Sequence, residues 1–517
     1  MGNSKADLVL RNAGAITLDP RRPQAGTIYI RGGHILKVSS KDVDPGLVGA
    51  ATQVIDCRGR TVIPAFHDAH SHVEAYTGRL LDIDLSPACV KSIEDIINRI
   101  REAAAALPVG TWIRCAGYNE FYLQEKRHPT ARDLDRATTD HPVKLTQRSG
   151  HAHVLNNLAL QLAGITAQSE EPPGCMIERD LESGEPNGLL FGMGPYLSEK
   201  IPPVGDTALE VAVSRAGRTL LSLGITTVQD ASPGNGPERR TRFLDWKRRG
   251  VFLPRIIMMS GAEEAILFHG GQTPVESETG LPRSAVKIML DEVRGSLNPS
   301  QAELNRLVLE IHGQGRQVAI HAVEEATVDA AITAIEQAMK QRPRKDSRHR
   351  LEHCSVCTPA AAARLSRIGA AVVTNPAFIY YGGERYLSTV PQEQLRHLYA
   401  IKTMLAEGLR VAAGSDAPVS GPDPLKGIYA AATRLAENGQ QVIHSQAISA
   451  LEALRLYTLN AAYSCFLERQ TGSIAKGKWA DLVVLNGNPL QVSPHELKDL
   501  KVEMTLMDGK AVHGEAV

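Results

Sequence analysis

Several features that would settle the class of a protein at once are missing from this sequence. Neither sign of charge is in excess, since 57 basic and 57 acidic side chains give a formal net charge of zero over 517 residues. Phosphate backbones and anionic lipid recruit surplus lysine and arginine, so neither nucleic acid nor membrane is an expected partner. Cysteine is sparse. Cys57, Cys89, Cys115, Cys175, Cys354, Cys357 and Cys465 are an odd number scattered along a long chain, which is no disulfide framework and suits a reducing compartment. Long apolar runs are absent too: charge interrupts each apolar stretch of the first thirty residues, and the segment from Ala450 to Leu467 contains Glu452 and Arg455. Neither a signal peptide nor a spanning helix is expected, and the expected location is the cytoplasm.

What is present is 43% hydrophobic content with only 4% aromatics, a balance that excludes a disordered chain and predicts a globular one. At about 100 to 200 residues per unit the length allows three domains, or one (β/α)₈ barrel of about 250 residues or more with additions. The first 60 residues read as short strands broken by turns, and the same texture returns in GSIAKGKWADLVVLNGNP and VEMTLMDGKAVH at the other end. The two β-rich ends, 1–61 and 470–517, are expected to pair into one small β-sandwich.

Between them, short apolar runs alternate with helical patterns. They are TVIPAFHDAHSH from Thr61, GITTVQDAS from Gly224, PRIIMMS from Pro254, SAVKIML from Ser284, RQVAIHAV from Arg316, RLEHCS from Arg350, AAVVTNPA from Ala370 and RVAAGSDAPV from Arg410. Continuous apolar runs without polar alternation are the mark of buried parallel strands, and eight strand–helix units predict a closed α/β barrel over 62–469. The first step spans about 150 residues against roughly 30 to 60 for the later ones, which places an inserted subdomain at 85–205.

These runs end in polar residues: His70 and His72 after the first, Lys287 within the fourth, His321 in the fifth, His353 in the sixth and Asp416 after the eighth. Barrel enzymes keep their sites at the C-terminal ends of their strands. Side chains at i and i+2 of a strand share a face, so the two imidazoles of His-Ser-His can reach one metal ion. Taken singly, each residue reads as a satisfied core group, and a second HxH at His151 and His153 shows how cheap that pattern is. The conjunction is what carries weight. A lysine inside AVKIML buries an ammonium at considerable cost unless it is paired or altered. Desolvation depresses its pKa, and the neutral amine can add CO₂ to become a carbamate able to bridge two metal ions.

With these motifs in place, the sequence resembles the amidohydrolase superfamily, within it the N-substituted formamide deformylase-like metal-dependent hydrolases (amidohydrolase family 3). The resemblance runs from about Ala6 to His513 through IPAFHDAHSH, RHPTARDLD, RSGHAHVLNNLAL, GITTVQDA, AVKIML, IHAVEEATVDAAI, RLEHCS and GSDAPV. It implies that His70, His72 and Asp416 ligate a first metal, that carboxylated Lys287 bridges, and that His321 and His353 hold a second. Two Zn²⁺ ions per chain are implied, with Mn²⁺ or Co²⁺ as substitutes, because imidazole and carboxylate ligands with an open position suit hydrolytic zinc. A metal-activated hydroxide would then attack the carbonyl carbon of a C–N amide-type bond, with Asp416 carrying the proton to the leaving nitrogen. His151 is implied to polarise a substrate carbonyl. Tyr380 and Tyr381, after the seventh run together with Arg385, are the candidate pocket lining, and Phe378 beside them hints at an apolar or aryl substituent.

The chain also departs from the pattern. Glu324 and Glu325 follow His321 where Gly-Asp is usual, and the resulting HAVE resembles the HxxE motif of mononuclear deaminases, in which Glu324 would be the proton shuttle. Ala65 stands where Gly is usual, and LLFGMG from Leu189 replaces a stretch that commonly carries a Glu. CSVC, from Cys354 to Cys357, reads as packing. Three functions are therefore weighed: a binuclear zinc amidohydrolase of a small formamide, aryl amide, cyclic amide or carbamate; a mononuclear deaminase of a heterocyclic amine; and a metal-free ligand-binding barrel. Small-molecule substrates are the expected partners, and a homodimer is compatible with the sequence.

Overall fold

Eight short runs of apolar residues form one parallel sheet. These are β1 (Phe66–Ser71), β2 (Ile225–Asp230), β3 (Arg255–Gly261), β4 (Arg283–Ile288), β5 (Val318–Ala322), β6 (Arg350–His353), β7 (Ala371–Thr374) and β8 (Arg410–Ala413). Each pairs in parallel with the next in chain order, from β1 to β8. The structure is a computed structural model that describes residues 5–172, 174–267, 283–293 and 295–514. The sheet is nearly closed into a barrel. Just past the strand ends, the Asp416 N–H donates to the His70 carbonyl at 2.7 Å and the His72 N–H to the Ala417 carbonyl at 3.0 Å.

Small side chains let the strands approach. Ala69, Val373, Ala412 and Ala461 form one interior cluster, and Ala231, Met259, Ala285 and Ala319 another. Gly414 is obligatory for the closure, because a Cβ there would lie 2.5 Å from the His70 backbone nitrogen. Helices cover the outside. In Glu325–Gln341 the buried residues Val328, Ala331, Ile332, Ile335 and Ala338 recur at helical spacing and make the stripe that packs. Burying one such isoleucine contributes about 1.5–3 kcal/mol.

Residues from both ends of the chain share a second set of sheets. Six strands run in the order Lys510–His513, Val502–Met507, Leu482–Leu485, Thr61–Pro64, Gly14–Ile16 and Gln24–Ala25, and four in the order His34–Ser39, Thr27–Arg31, Leu8–Arg11 and Gln53–Asp56. Alternation decides the faces: Leu8 and Leu10 pack with Ile28, Ile30, Val62, Leu482, Val484 and Leu506, whereas Val9 joins Tyr29 on the other side. The run TVIPAFHDAHSH therefore serves two sheets. The Ala65 N–H donates to Asp481 and the Phe66 N–H to Gly224, both at 2.9 Å, so the strand changes partners at Ala65.

By contact clustering the chain divides into Met1–Val73 with Ser214–Val517, and Glu74–Val213. The latter unit has its own mixed six-stranded sheet, from Met176–Arg179 at one edge to Ile83–Asp84 at the other. Its helix Ile93–Ala106 starts at a capping box of Ser92 and Asp95 and buries Ile93, Ile96, Ile97 and Ile100. Among the described residues, no helix is long and apolar enough to cross a membrane.

Candidate metal centre

His70 and His72 flank Ser71 at the end of β1, and their rings meet edge to face with centroids 5.4 Å apart. Asp416 comes to both from the loop after β8: its Oδ1 lies 3.0 Å from His72 Nε2 and 3.5 Å from His70 Nε2. The candidate ligand atoms of these three residues lie within 4.8 Å of one another. His70 Nε2 is buried and, among the described residues, has no hydrogen-bond partner. A buried, unsatisfied nitrogen beside a carboxylate and a second imidazole is what a metal ligand looks like without its ion, so the donor set fits a divalent cation.

The remaining imidazoles adjoin. The His353 ring lies 4.8 Å from that of His70 and 4.6 Å from that of His321. Asn375 fixes the His353 tautomer. Its Nδ2 donates to the Gly414 carbonyl at 2.9 Å, which leaves Oδ1 as the acceptor facing His353 Nδ1 at 2.7 Å. His353 Nδ1 must then carry the proton, and Nε2 keeps its lone pair. His353 and Asp416 both hold left-handed backbone, with φ of 66° and 57°, conformations that a non-glycine residue keeps only where its surroundings impose them.

Electrostatics differ from group to group. Burial lowers the pKa of Lys287, which is 2% exposed on β4, while Glu352 and Asp416 pull it upward. Burial also holds His70 neutral, down to about 3, and depresses His321 and His353. Burial raises the Asp416 carboxyl, but the His72 hydrogen bond and the surrounding imidazoles outweigh it and keep Asp416 below the usual carboxylate range. The six residues His70, His72, Lys287, His321, His353 and Asp416 thus gather at the C-terminal ends of the strands.

The other candidates are elsewhere or otherwise engaged. Glu324 is exposed at the start of its helix, with the Thr327 hydroxyl 3.3 Å from its carboxylate. The Tyr380 hydroxyl donates to Glu437 at 3.3 Å, the Tyr380 and Tyr381 rings meet edge to face, and Lys426 sits over both. Phe378, one turn earlier, is the ring that lies parallel to His353, with centroids 6.5 Å apart. His151 belongs to the unit Glu74–Val213, where it is exposed on the turn before the strand Ala152–Leu155, and His153 within that strand is buried. All seven cysteines are free, and Cys354 and Cys357 are both buried.

Some neighbours of the centre were not anticipated. Asp291 Oδ1 lies 3.6 Å from His321 Nε2, Ser232 Oγ lies 3.1 Å from His72 Nδ1, and Glu352 Oε2 contacts His70 Nδ1. RLEH held a readable signal for the last of these, because two opposite charges at i and i+2 of a buried strand must find partners on one face.

Residues 53–513 match the amidohydrolase family. The chain belongs to that family. This amidohydrolase is 28% identical to the N-substituted formamide deformylase of Arthrobacter pascens over 97% of each chain. In fold it is similar to a metal-dependent hydrolase of Pyrococcus horikoshii, with a TM-score of 0.73, 20% identity and coverage of 94% of this chain and 99% of that one. Atrazine chlorohydrolase TrzN of Arthrobacter aurescens, solved with zinc, shares the fold at a TM-score of 0.57 and 14% identity, over 98% of this chain and 96% of that one.

Proposed function

We propose that this amidohydrolase is a zinc hydrolase that cleaves a C–N amide-type bond of a small molecule: a formamide, aryl amide, cyclic amide or carbamate. The observation that carries the reading is His70 Nε2, buried and unpartnered between His72 and Asp416. In this reading His70, His72 and Asp416 would hold one ion and His321 and His353 a second, with Lys287, as a carbamate, a ligand they would share. Zinc, when bound, supplies a Lewis acid and lowers the pKa of water at the site.

The chain's own groups do the rest. Burial of Lys287 favours the neutral amine, which adds CO₂ and releases one proton to form the carbamate. Asp416, held ionised, accepts the proton of the attacking water and delivers it to the leaving nitrogen. Phe378, parallel to the His353 ring, offers an apolar wall for the acyl or amine substituent. The amide class is supported by the formamide deformylase, to which this chain is similar along its length.

A panel of formamides, aryl amides, cyclic amides, carbamates and amino-heterocycles, offered to the zinc-loaded protein, tests the proposal. Chelator-sensitive hydrolysis of an amide-type substrate is expected. Ammonia released from amino-heterocycles alone would replace the reading with a deaminase.

A further inference from the structure

We propose that Glu352, held by Arg350, is a positioning residue that fixes the tautomer of His70 and aims Nε2 at the metal. The inference rests on the metal reading above and adds a residue to it. A carboxylate has lone pairs and no proton to give, so the contact between His70 Nδ1 and Glu352 Oε2 places the ring proton on Nδ1. His70 Nε2 is then the atom with the free lone pair. It is also the atom that lies buried without a partner, 3.5 Å from Asp416 Oδ1.

Glu352 is fully buried on β6, and a buried carboxylate needs a paired cation, which Arg350 supplies. The Arg350 guanidinium meets both of its oxygens, with Nη2 2.9 Å from Oε2. The same Nη2 donates at 2.8 Å to the carbonyl of Ala69, the residue before His70. One guanidinium thus grips both the carboxylate that orients the imidazole and the backbone that carries it.

Stability gives little reason for this arrangement. A buried ion pair replaced by well-packed apolar residues is often as stable or more so. Its neighbours are also different in kind. His353 Nδ1 faces the neutral amide of Asn375 and His72 Nδ1 the hydroxyl of Ser232. His70 Nδ1 instead faces a carboxylate, and a carboxylate on one ring nitrogen makes the other a stronger electron donor.

The test is zinc affinity, measured on metal-stripped full-length protein by competition with a chromophoric chelator. Glu352→Gln keeps the shape and removes the charge. Glu352→Asp keeps the charge beside Arg350 and withdraws the carboxylate from His70. Each is expected to weaken zinc binding by about 10- to 100-fold, and neither to weaken it further in a His70→Ala background. The Asp variant preserves the neutral balance of the buried pair and so stands in should the Gln variant fail to fold. Wild-type affinity in either folded variant overturns the proposal, as does an equal loss in the His70→Ala background, which would mark Glu352 as merely structural. Zinc binding by His70→Ala as tight as wild type, or none by the wild type, overturns the metal reading itself and this inference with it.

Discussion

The barrel contains two groups of histidines that burial alone does not separate, since His70 and His353 in one are buried like His312 and His349 in the other. At the N-terminal end of β6, His349 Nδ1 accepts from the Val318 N–H at 3.0 Å, so its Nε2 carries the proton. That nitrogen lies 2.8 Å from His312 Nδ1, and His312 Nε2 in turn donates to the Arg342 carbonyl at 2.6 Å. Each nitrogen of this pair is satisfied by protein. At the C-terminal ends, His70, His72, His321 and His353 crowd within ring distances of 4.6 to 5.4 Å, and a buried nitrogen of His70 has no partner. A cluster of imidazoles is therefore uninformative until its lone pairs are counted. In the closed pair every ring nitrogen is answered by protein; in the open group, among the described residues, His70 Nε2 is not.

The sharpest way to break this contrast is to remove the metal. Chelation is expected to abolish activity, with Zn²⁺, Mn²⁺ or Co²⁺ restoring it, while the His312–His349 end stays intact by circular dichroism. Full turnover in protein shown metal-free by elemental analysis would end the distinction between the two groups. Next in size is Asp416→Asn, which keeps one metal-binding oxygen and loses the base. Its kcat should fall by about 10²-fold or more with zinc content largely retained. Normal turnover would remove Asp416 from the mechanism.

Lys287→Ala is expected to bind roughly half the zinc of the wild type and to recover part of its activity with formate or acetate, whose carboxylate replaces the carbamate. Zinc content equal to wild type would remove Lys287 from the centre. The smallest effect is expected at the closed pair. His349→Phe leaves the Val318 N–H and His312 Nδ1 unpaired, at a cost of about 1–3 kcal/mol, without altering zinc binding. Burial lowers the pKa of His349 from 6.5 to about 3. The unfolded chain therefore takes up a proton that the folded chain refuses, so this residue's contribution is lost as pH falls from about 6.5 towards 3. Urea titrations across that range should show a shallower decline for His349→Phe than for the wild type.

Much of this was legible in the sequence, for physical reasons that differ by element. Buried parallel strands announce themselves as apolar runs, and each of the eight anticipated runs contributes a strand to the barrel sheet, the first only from Phe66 onward. Polar residues at their ends stood out because nothing apolar would tolerate them, which exposed His70, His72, Lys287, His321, His353 and Asp416. Partner identity was less visible. Asn375 reaches its histidine from the end of the next strand and Ser232 from 160 residues away, and an isolated amide or hydroxyl has no spacing that betrays it. The change of sheet at Ala65 was hidden for the opposite reason, since apolar residues serve a sandwich edge and a barrel wall equally well.

That change of sheet has a consequence for how the molecule is made. Thr61–Pro64 pairs residue for residue with Leu482–Leu485, from Thr61 beside Leu485 to Pro64 beside Leu482, and Ala65 alone separates this ladder from β1. During synthesis the segment that leads into His70 and His72 can pair at once with Gly14–Ile16 on one edge, yet the partner of its other edge is translated only after β8. The nascent chain must carry that edge unpaired while the whole barrel sheet is made. Long-range pairing of this kind is slow to form and open to association with other chains. The strand that leads to the centre's first two histidines is thus completed by a partner made after every strand of the barrel.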